Sequence, residues 1–498
     1  MPEIVPRWEW RWFGHRFGPA ESRLAALTPG AVQESSETYL LSGAGDNVKV
    51  RDALMDIKVL REVNQDGLEQ WTPVMKAGFP LPAAEVTRVF AALRLDPPRL
   101  QRASYDLAQF IDELAVPSGR IRAISVQKRR VRYTVGGCMA ELSEVVADGK
   151  PTRTIAVESE DAAAVIAAVR SLGLGGYANT SYPRGLAALV DGTPSCYAVI
   201  DVGTNSIKFH VARQAPDGRW QTVADRAEIT RLGEGLDDTG RIGAAALERA
   251  VAAIAGMAAE ARQHGALAIV AVGTAGLRIA ANRDEVVAAI AARTGVQVEV
   301  VSGEEEARLA YLAAKSGLRL GGGGSLVVFD TGGGSSQFTF GRDDAVEERF
   351  SVDVGAVRYT ERFGLDKVVP PAVLREALAA IAADLSRLDG RPVPDALAAM
   401  GGATTNIAAV KHGLARYDAE VVQGTVLERA ELDRQIELYC SMDADARRGI
   451  VGLQPKRAEV ILAGACIIRT VMDKLGKSTL TVSDRGLRHG VLAERFGI

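Results

Sequence analysis

From the N-terminus to about residue 190, short stretches alternate apolar with basic residues at period two, the pattern of strands with one buried face. Val48-Lys49-Val50-Arg51 puts Lys49 and Arg51 on one side, and Asp56-Ile57-Lys58-Val59 continues the alternation with Lys58. In the run from Gln127 to Arg132, the residues Lys128, Arg130 and Arg132 share a face. A basic strand face is usually the solvated side of a sheet. Several such strands in one region point instead to a shared basic surface. From Tyr197 onward the texture changes to Val/Ile-rich strand, Gly-rich turn and Ala-rich helix in alternation, which predicts an α/β fold. The stretch from Asn179 to Pro194 has turn residues at both ends and marks the boundary.

Two segments of the later region resemble one another. Ala198 to Ser206 reads AVIDVGTNS and Leu326 to Ser335 reads LVVFDTGGGS. In each, an apolar strand ends in Asp and a Gly-containing turn with a hydroxyl residue follows, which indicates an internal duplication. Such turns suit phosphate because glycine lets the backbone approach closely and aim successive N–H groups at an anion. Gly203, Thr204, Asn205 and Ser206 form the first candidate loop, and Gly332, Gly333, Gly334 and Ser335 the second. Asp201 and Asp330, at the strand ends, are placed to hold Mg²⁺, a hard cation that prefers oxygen ligands and bridges phosphate oxygens. Val272-Gly-Thr-Ala-Gly-Leu-Arg278 ends another strand with a small-residue turn and an arginine whose planar fork suits phosphate. Ser302-Gly-Glu-Glu-Glu-Ala-Arg308 opens a helix with three carboxylates. Capping uses one or two of them. An extra Glu turned toward phosphate can orient a water and accept its proton.

Composition narrows the field. The 498 residues are 47 % hydrophobic and 24 % charged, ordinary for globular protein. No apolar run approaches the roughly 20 residues of a membrane span. The N-terminus is interrupted by Pro2, Glu3, Pro6 and Arg7, so no secretory signal and no membrane association are expected, and the cytoplasm is the expected compartment. Lys plus Arg balance Asp plus Glu at 23 against 22 in residues 1–190 and at 36 against 40 afterwards, so no nucleic-acid partner is expected. The four cysteines are far apart and the five histidines unclustered, which excludes a zinc framework.

The ordered motifs, with GEGLDDTGRI (233–242), SVDVGAVRYTERF (351–363), MGGATTNIAAV (400–410) and TVSDRGLRHGVL (481–492), resemble the exopolyphosphatase/guanosine pentaphosphate phosphohydrolase (Ppx/GppA) family. The resemblance implies a two-lobed actin-like, ribonuclease H-like (ASKHA) α/β fold, with residues 196–325 as first lobe and 326–498 as second. It assigns Asp201, Gly203, Asn205 and Ser206 to the first phosphate loop, Arg278 to substrate phosphate, Asp330 with Gly332 to Ser335 to the second loop, and Glu306 to the catalytic base. At the end of the second loop, Gln337 stands where the family has Glu. Its carbonyl can still serve a metal, but it carries no charge. Longer members add a C-terminal helical domain, and the short form is expected here. The implied activity is Mg²⁺-dependent removal of terminal phosphate from inorganic polyphosphate. Guanosine pentaphosphate is the alternative substrate, polyphosphate binding without turnover is the alternative from another class, and a homodimer is the expected assembly.

Residues 1–190 resemble the CYTH, or triphosphate tunnel, family through KVRDALMDIKVL (49–60), QKRRVRYTV (127–135), AELSEV (140–145) and NTSYPRGL (179–186). That resemblance implies an α+β antiparallel barrel whose Lys49, Arg51, Lys58, Lys128, Arg130 and Arg132 hold polyphosphate. The family's Glu-x-Glu-x-Lys metal signature reads Arg7-Trp-Glu9-Trp-Arg11 here, so only Glu9 survives. A degenerate, non-catalytic holder is the expectation.

Overall fold

The computed structural model describes residues 5–43, 45–204, 206–215, 217–318, 324–343 and 345–497. It divides into two compact units, one built from the chain up to Val300 with the C-terminal residues from Arg495, the other from Val301 to Glu494. No helix among the described residues is long and apolar enough to cross a membrane.

The first unit begins with a closed eight-stranded antiparallel barrel. Its strands are β1 (Arg7–Gly14), β2 (Gln33–Leu41), β3 (Asn47–Arg51), β4 (Leu54–Val63), β5 (Glu69–Gly78), β6 (Arg122–Val135), β7 (Cys138–Ala147) and β8 (Lys150–Ser159). They close in the order β1-β8-β7-β6-β2-β3-β4-β5. Period-two alternation sorts the side chains. Val48, Val50, Met55 and Ile57 point outward and pack with Val86, Val89 and Phe90 of the helix Ala83–Ala92. Their neighbours Lys49 and Arg51 therefore turn into the lumen, as do Lys128 and Arg130. The basic face is thus an interior surface rather than a solvated one. Arg132, on the same side of β6, lies beyond the buried stretch and is exposed.

The expected boundary segment contains a helix, α1 (Tyr182–Asp191), that enters one end of this barrel. Tyr182 and Leu186 are buried with Tyr39, Leu41, Ile124, Val126 and Val145. A Cβ on Gly185 would lie 2.4 Å from the Phe13 ring, so glycine is what lets the helix approach β1. The far end is fixed by an Arg122–Asp191 ion pair and by Lys150 donating to the Val190 carbonyl at 2.7 Å.

The rest of the first unit is a five-stranded sheet of β9 (Ser195–Val202), β10 (Ser206–Gln214), β11 (Trp220–Ile229), β12 (Ala268–Gly273) and β13 (Val298–Val300), in the order β11-β10-β9-β12-β13. Helix α2 (Ala244–Gln263) covers it, burying Ala250, Ile254 and Met257 at its standard 3–4 residue spacing. Helix α3 (Ala275–Ile279) follows β12.

The second unit opens with α4 (Gly303–Leu318). Its sheet contains β14 (Ser325–Thr331), β15 (Ser336–Arg342), β16 (Ala345–Val352), β17 (Ala396–Met400), β18 (Val426–Glu428) and β19 (Thr479–Val482), in the order β16-β15-β14-β17-β19-β18. Helices α5 (Ala356–Phe363), α6 (Gly402–His412) and the almost wholly buried α7 (Ile461–Lys474) complete its core.

Both sheets start with an antiparallel three-stranded meander followed by a parallel strand on the other side of the first, as the expected actin-like duplication requires. The repeat extends to defects. The β10–β11 ladder slips between Val211 and Ala212, and the β15–β16 ladder between Phe340 and Gly341, the equivalent positions of the two copies. A bulge conserved between the copies of a duplicated unit is a structural feature rather than an accident of packing.

Candidate functional site

In the first unit, Asp201 is nearly the last residue of β9 and is 5 % exposed. Its antiparallel partner is Lys208, whose Nζ lies 3.4 Å from Oδ2. The loop then turns tightly, the Gly203 N–H donating to the Ser206 carbonyl at 3.2 Å, and a Cβ on Gly203 would meet that same oxygen at 2.7 Å. Thr204 is wedged between two glycines: a Cβ on Gly233 would lie 2.2 Å from its Cγ2, and one on Gly276 2.8 Å from its Oγ1. The GEGLDDTGRI turn and the start of α3 are therefore shaped around this threonine. Asp201 pairs in register with Val272 of β12. Arg278, whose N–H donates to the Thr274 carbonyl at 3.0 Å, thus sits one helical turn beyond the strand end next to Asp201. Ser206 opens β10 and is half-buried, whereas Asn205 lies outside the described residues.

In the second unit, Asp330 occupies the equivalent place on β14, with Gln337 directly across the ladder on β15. Gln337 Nε2 donates to Ser335 Oγ at 2.8 Å, tying the strand to the loop. Gly401 has φ +90°, and a Cβ there would lie 2.1 Å from Asp330 Oδ1, so the carboxylate rests in a cradle that only glycine leaves open. The loop closes by a Gly332 N–H to Ser335 carbonyl bond at 2.9 Å. Its carbonyls are gripped from behind: the Gly332 oxygen accepts the Ala356 N–H at 2.9 Å and the Gly333 oxygen accepts the Val357 N–H at 2.8 Å. The first turn of α5 is thereby consumed in positioning the loop. The exposed backbone N–H groups of Gly333 and Gly334, and that of half-buried Ser335, have no hydrogen-bond partner among the described residues. Such successive N–H groups form an anion-binding concavity.

Glu306 is in the first turn of α4, half-buried, its N–H donating to the Ser302 carbonyl at 3.0 Å. Its two predecessors are committed elsewhere. Glu304 pairs with Arg349 at 2.5 Å, and backbone hydrogen bonding together with that arginine holds its carboxyl below the usual range. Glu305 makes a two-pronged contact with Arg308, at 2.9 and 2.7 Å. Glu304 and Glu305 are thus each engaged by an arginine of the same unit.

The oxygen donors fit Mg²⁺. Asp201 in the first unit, and Asp330 with the amide oxygen of Gln337 in the second, are hard ligands of the type this cation takes, and the Gly401 cradle holds Asp330 at a place where the backbone admits nothing else. Lys208 beside Asp201 is a group that reading the chain overlooked. The signal was present, because in the duplication it aligns with Gln337, and only the β9–β10 register shows that this position faces the aspartate.

Inside the barrel, one buried acid organises the cations. Glu37 on β2 is 3 % exposed and lies 3.1 Å from Lys49, 2.8 Å from Lys128, 3.1 Å from Arg130 and 3.9 Å from Arg51. Burial pushes its carboxyl up, but the Lys128 and Lys49 ammoniums outweigh this and hold it far below the carboxylate range. Burial pushes both lysines down to about 8, against the pull of Glu37. Lys128 Nζ also stands 3.7 Å from the Tyr182 ring centroid, and the Arg11 guanidinium 4.1 Å from the same ring. Arg11 donates to Glu9 at 2.8 Å, and Lys58 adds charge near that glutamate. Burial raises the Glu9 carboxyl, yet Arg11 and Lys58 overcome it, so the surviving acid of the metal signature is neutralised internally. Glu37→Gln would strand the two buried cations Lys128 and Arg130 beside half-buried Lys49, and a loss of about 3–5 kcal/mol is expected, read as an earlier unfolding transition in urea.

The profile of the Ppx/GppA phosphatase family matches residues 210–497, which leaves the barrel outside the match. Exopolyphosphatase 2 of Mycobacterium tuberculosis is 31 % identical over 319 residues, covering 60 % of this chain and 98 % of that protein. A bifunctional 3-dehydroquinate synthase/phosphatase of Fusobacterium nucleatum is 26 % identical over 307 residues, 60 % of this chain and 46 % of that protein. Among solved structures, a Ppx/GppA phosphatase of Aquifex aeolicus, in its type II variant, superposes with a TM-score of 0.57 at 29 % identity, covering 60 % of this chain and 99 % of the other.

Proposed function

The chain belongs to the Ppx/GppA phosphatase family, and from that premise we propose that it is an exopolyphosphatase that removes the terminal phosphate of inorganic polyphosphate with Mg²⁺. The observation that carries the reading is the second loop, whose N–H groups at Gly333, Gly334 and Ser335 have no hydrogen-bond partner among the described residues while α5 holds the Gly332 and Gly333 carbonyls. Glu306 orients a water and takes its proton as that water attacks the terminal phosphorus in line. In the first unit Arg278 and the hydroxyls of Thr204 and Ser206, and in the second the loop N–H groups and the Ser335 hydroxyl, are donors suited to phosphate oxygens and to the charge that develops on them. Asp201 in the first unit, and Asp330 with Gln337 in the second, are the residues that would hold Mg²⁺, and the cation would supply neutralising charge to substrate oxygens. Phosphate release measured in parallel from long-chain polyphosphate, guanosine pentaphosphate and inorganic triphosphate tests the reading. Faster release from the nucleotide would make the enzyme a guanosine pentaphosphate hydrolase. Binding without release would make it a polyphosphate-binding protein in which Gln337 has retired the site.

The barrel serves as an auxiliary holder, its phosphate-bearing guest taking over Lys49, Arg51, Lys128 and Arg130 from Glu37 and thereby raising the substrate concentration near the phosphatase units. The pH dependence follows from the lysines. They titrate near 8 while Glu37 stays ionised, so above pH 8 the lumen loses positive charge and keeps its negative one. Affinity for long polyphosphate should fall between pH 7 and pH 9 in the parent protein, and a Lys49→Gln/Lys128→Gln variant should bind weakly with little change across that range. Equal pH slopes in the two proteins, measured by fluorescence anisotropy of labelled polyphosphate, would remove the barrel from substrate binding.

A further inference from the structure

Beside the second loop lies an arginine of the 351–363 motif that the sequence reading gave no role. Arg358 is in the first turn of α5, and its side chain is 54 % exposed. Its Nε donates to the Gly334 carbonyl at 3.3 Å, and Nη2 lies 3.9 Å from Asp353 Oδ1, an aspartate that is itself 87 % exposed. Among the described residues the guanidinium has no other hydrogen bond or ion pair. Val357, the preceding residue, packs on Gly333, where an added Cβ would meet its Cγ2 at 3.0 Å. A guanidinium anchored on the Gly334 oxygen stands beside the loop that carries the unpartnered N–H groups.

We propose that Arg358 is a substrate-binding residue that holds a phosphate adjoining the one seated on the Gly333–Ser335 N–H groups. The inference rests on the phosphatase reading above and extends it to a second phosphate subsite within the second unit. Chemistry favours this over a purely structural arginine. The Nε contact fixes the plane of the fork while the remaining N–H donors stay in solvent, the state from which bidentate contact with a phosphate is gained without first breaking a strong ion pair. The contact to Asp353 is a long one between exposed groups, of the kind that contributes little. A linear polyphosphate carries an anionic group next to its terminal one, so a subsite for that group acts on substrate binding rather than on the reacting phosphorus.

The test compares parent, Arg358→Gln and Arg358→Lys full-length proteins. For hydrolysis of long polyphosphate, Arg358→Gln should raise KM on the order of 10- to 100-fold, the range of a charged hydrogen bond, with kcat within about threefold. Arg358→Lys, which keeps the charge but not the fork, should fall between. In a Glu306→Gln background, direct titration with the same polyphosphate should show a parallel rise in Kd. An Arg358→Gln protein with unchanged KM and Kd overturns the inference. So does one in which kcat falls at constant KM, because the arginine then only shapes the loop. Should the parent release phosphate from no substrate, the function reading fails by itself, and Arg358 is judged on the titration alone. Absence of polyphosphate binding there overturns it as well.

Discussion

Glu306→Gln should release phosphate from polyphosphate on the order of 10² to 10⁴ times more slowly than the parent, with Kd for the substrate little changed. The amide keeps the shape and the hydrogen-bonding reach of the side chain but cannot accept the water's proton. The neighbouring substitutions provide the contrast. Glu304 and Glu305 are tied to Arg349 and Arg308, so Glu304→Gln and Glu305→Gln should cost less than tenfold, through loosened helix contacts rather than lost proton transfer. Initial rates of phosphate release across the three variants decide the matter. A Glu305→Gln protein as slow as Glu306→Gln would overturn the assignment of the base to Glu306.

Gly401→Ala should be the most damaging conservative change outside the base. The residue has φ +90°, which an L side chain rarely adopts, and its Cβ would lie 2.1 Å from Asp330 Oδ1. Both constraints act at once. The alanine either distorts the backbone entering α6 or drives the carboxylate out of its cradle. A shift of about 1 Å at a positioned group costs on the order of 10²-fold in rate, and that fall is expected at fixed Mg²⁺. Because Asp330 is the displaced group, raising Mg²⁺ should restore part of the activity, whereas no such recovery is expected for Glu306→Gln. Gly256→Ala is the control: it lies in α2 with nothing within 4 Å of the added Cβ, so it should leave rate and Mg²⁺ requirement unchanged and stabilise the protein by about 0.5–1 kcal/mol.

The local structure around the candidate residues was legible in the chain itself. The loops after Asp201 and Asp330 fold where the residues lie because strand, turn and glycine are local choices, set by dihedral preferences over six or seven positions. The first-turn placement of Glu306 follows from Ser302 and the helical run after it for the same reason. The alternation of Lys49, Arg51, Lys128 and Arg130 was equally local, but its meaning was not. An alternating strand says which residues share a face and nothing about what that face meets.

The determinations made by sequence alone were therefore the short-range ones: two strand-turn loops in a duplicated α/β region, a carboxylate-rich helix start, and a preceding region of strands with basic faces. Tertiary structure decided the pairings. Glu37 and Lys128 are 91 residues apart in the chain, yet their contact makes the lumen a neutralised network rather than a free basic tunnel. Tyr182 enters that lumen because Gly185 lets a helix reach Phe13, and Gly401 matters because a strand from elsewhere brings Asp330 against it. Lys208 and Arg358 became visible only when ladder register and helix packing set them beside Asp201 and the second loop. The physical reason is common to all of these. Backbone preference acts over a few residues and is written in composition and period, whereas burial and charge pairing depend on which distant segments close on one another.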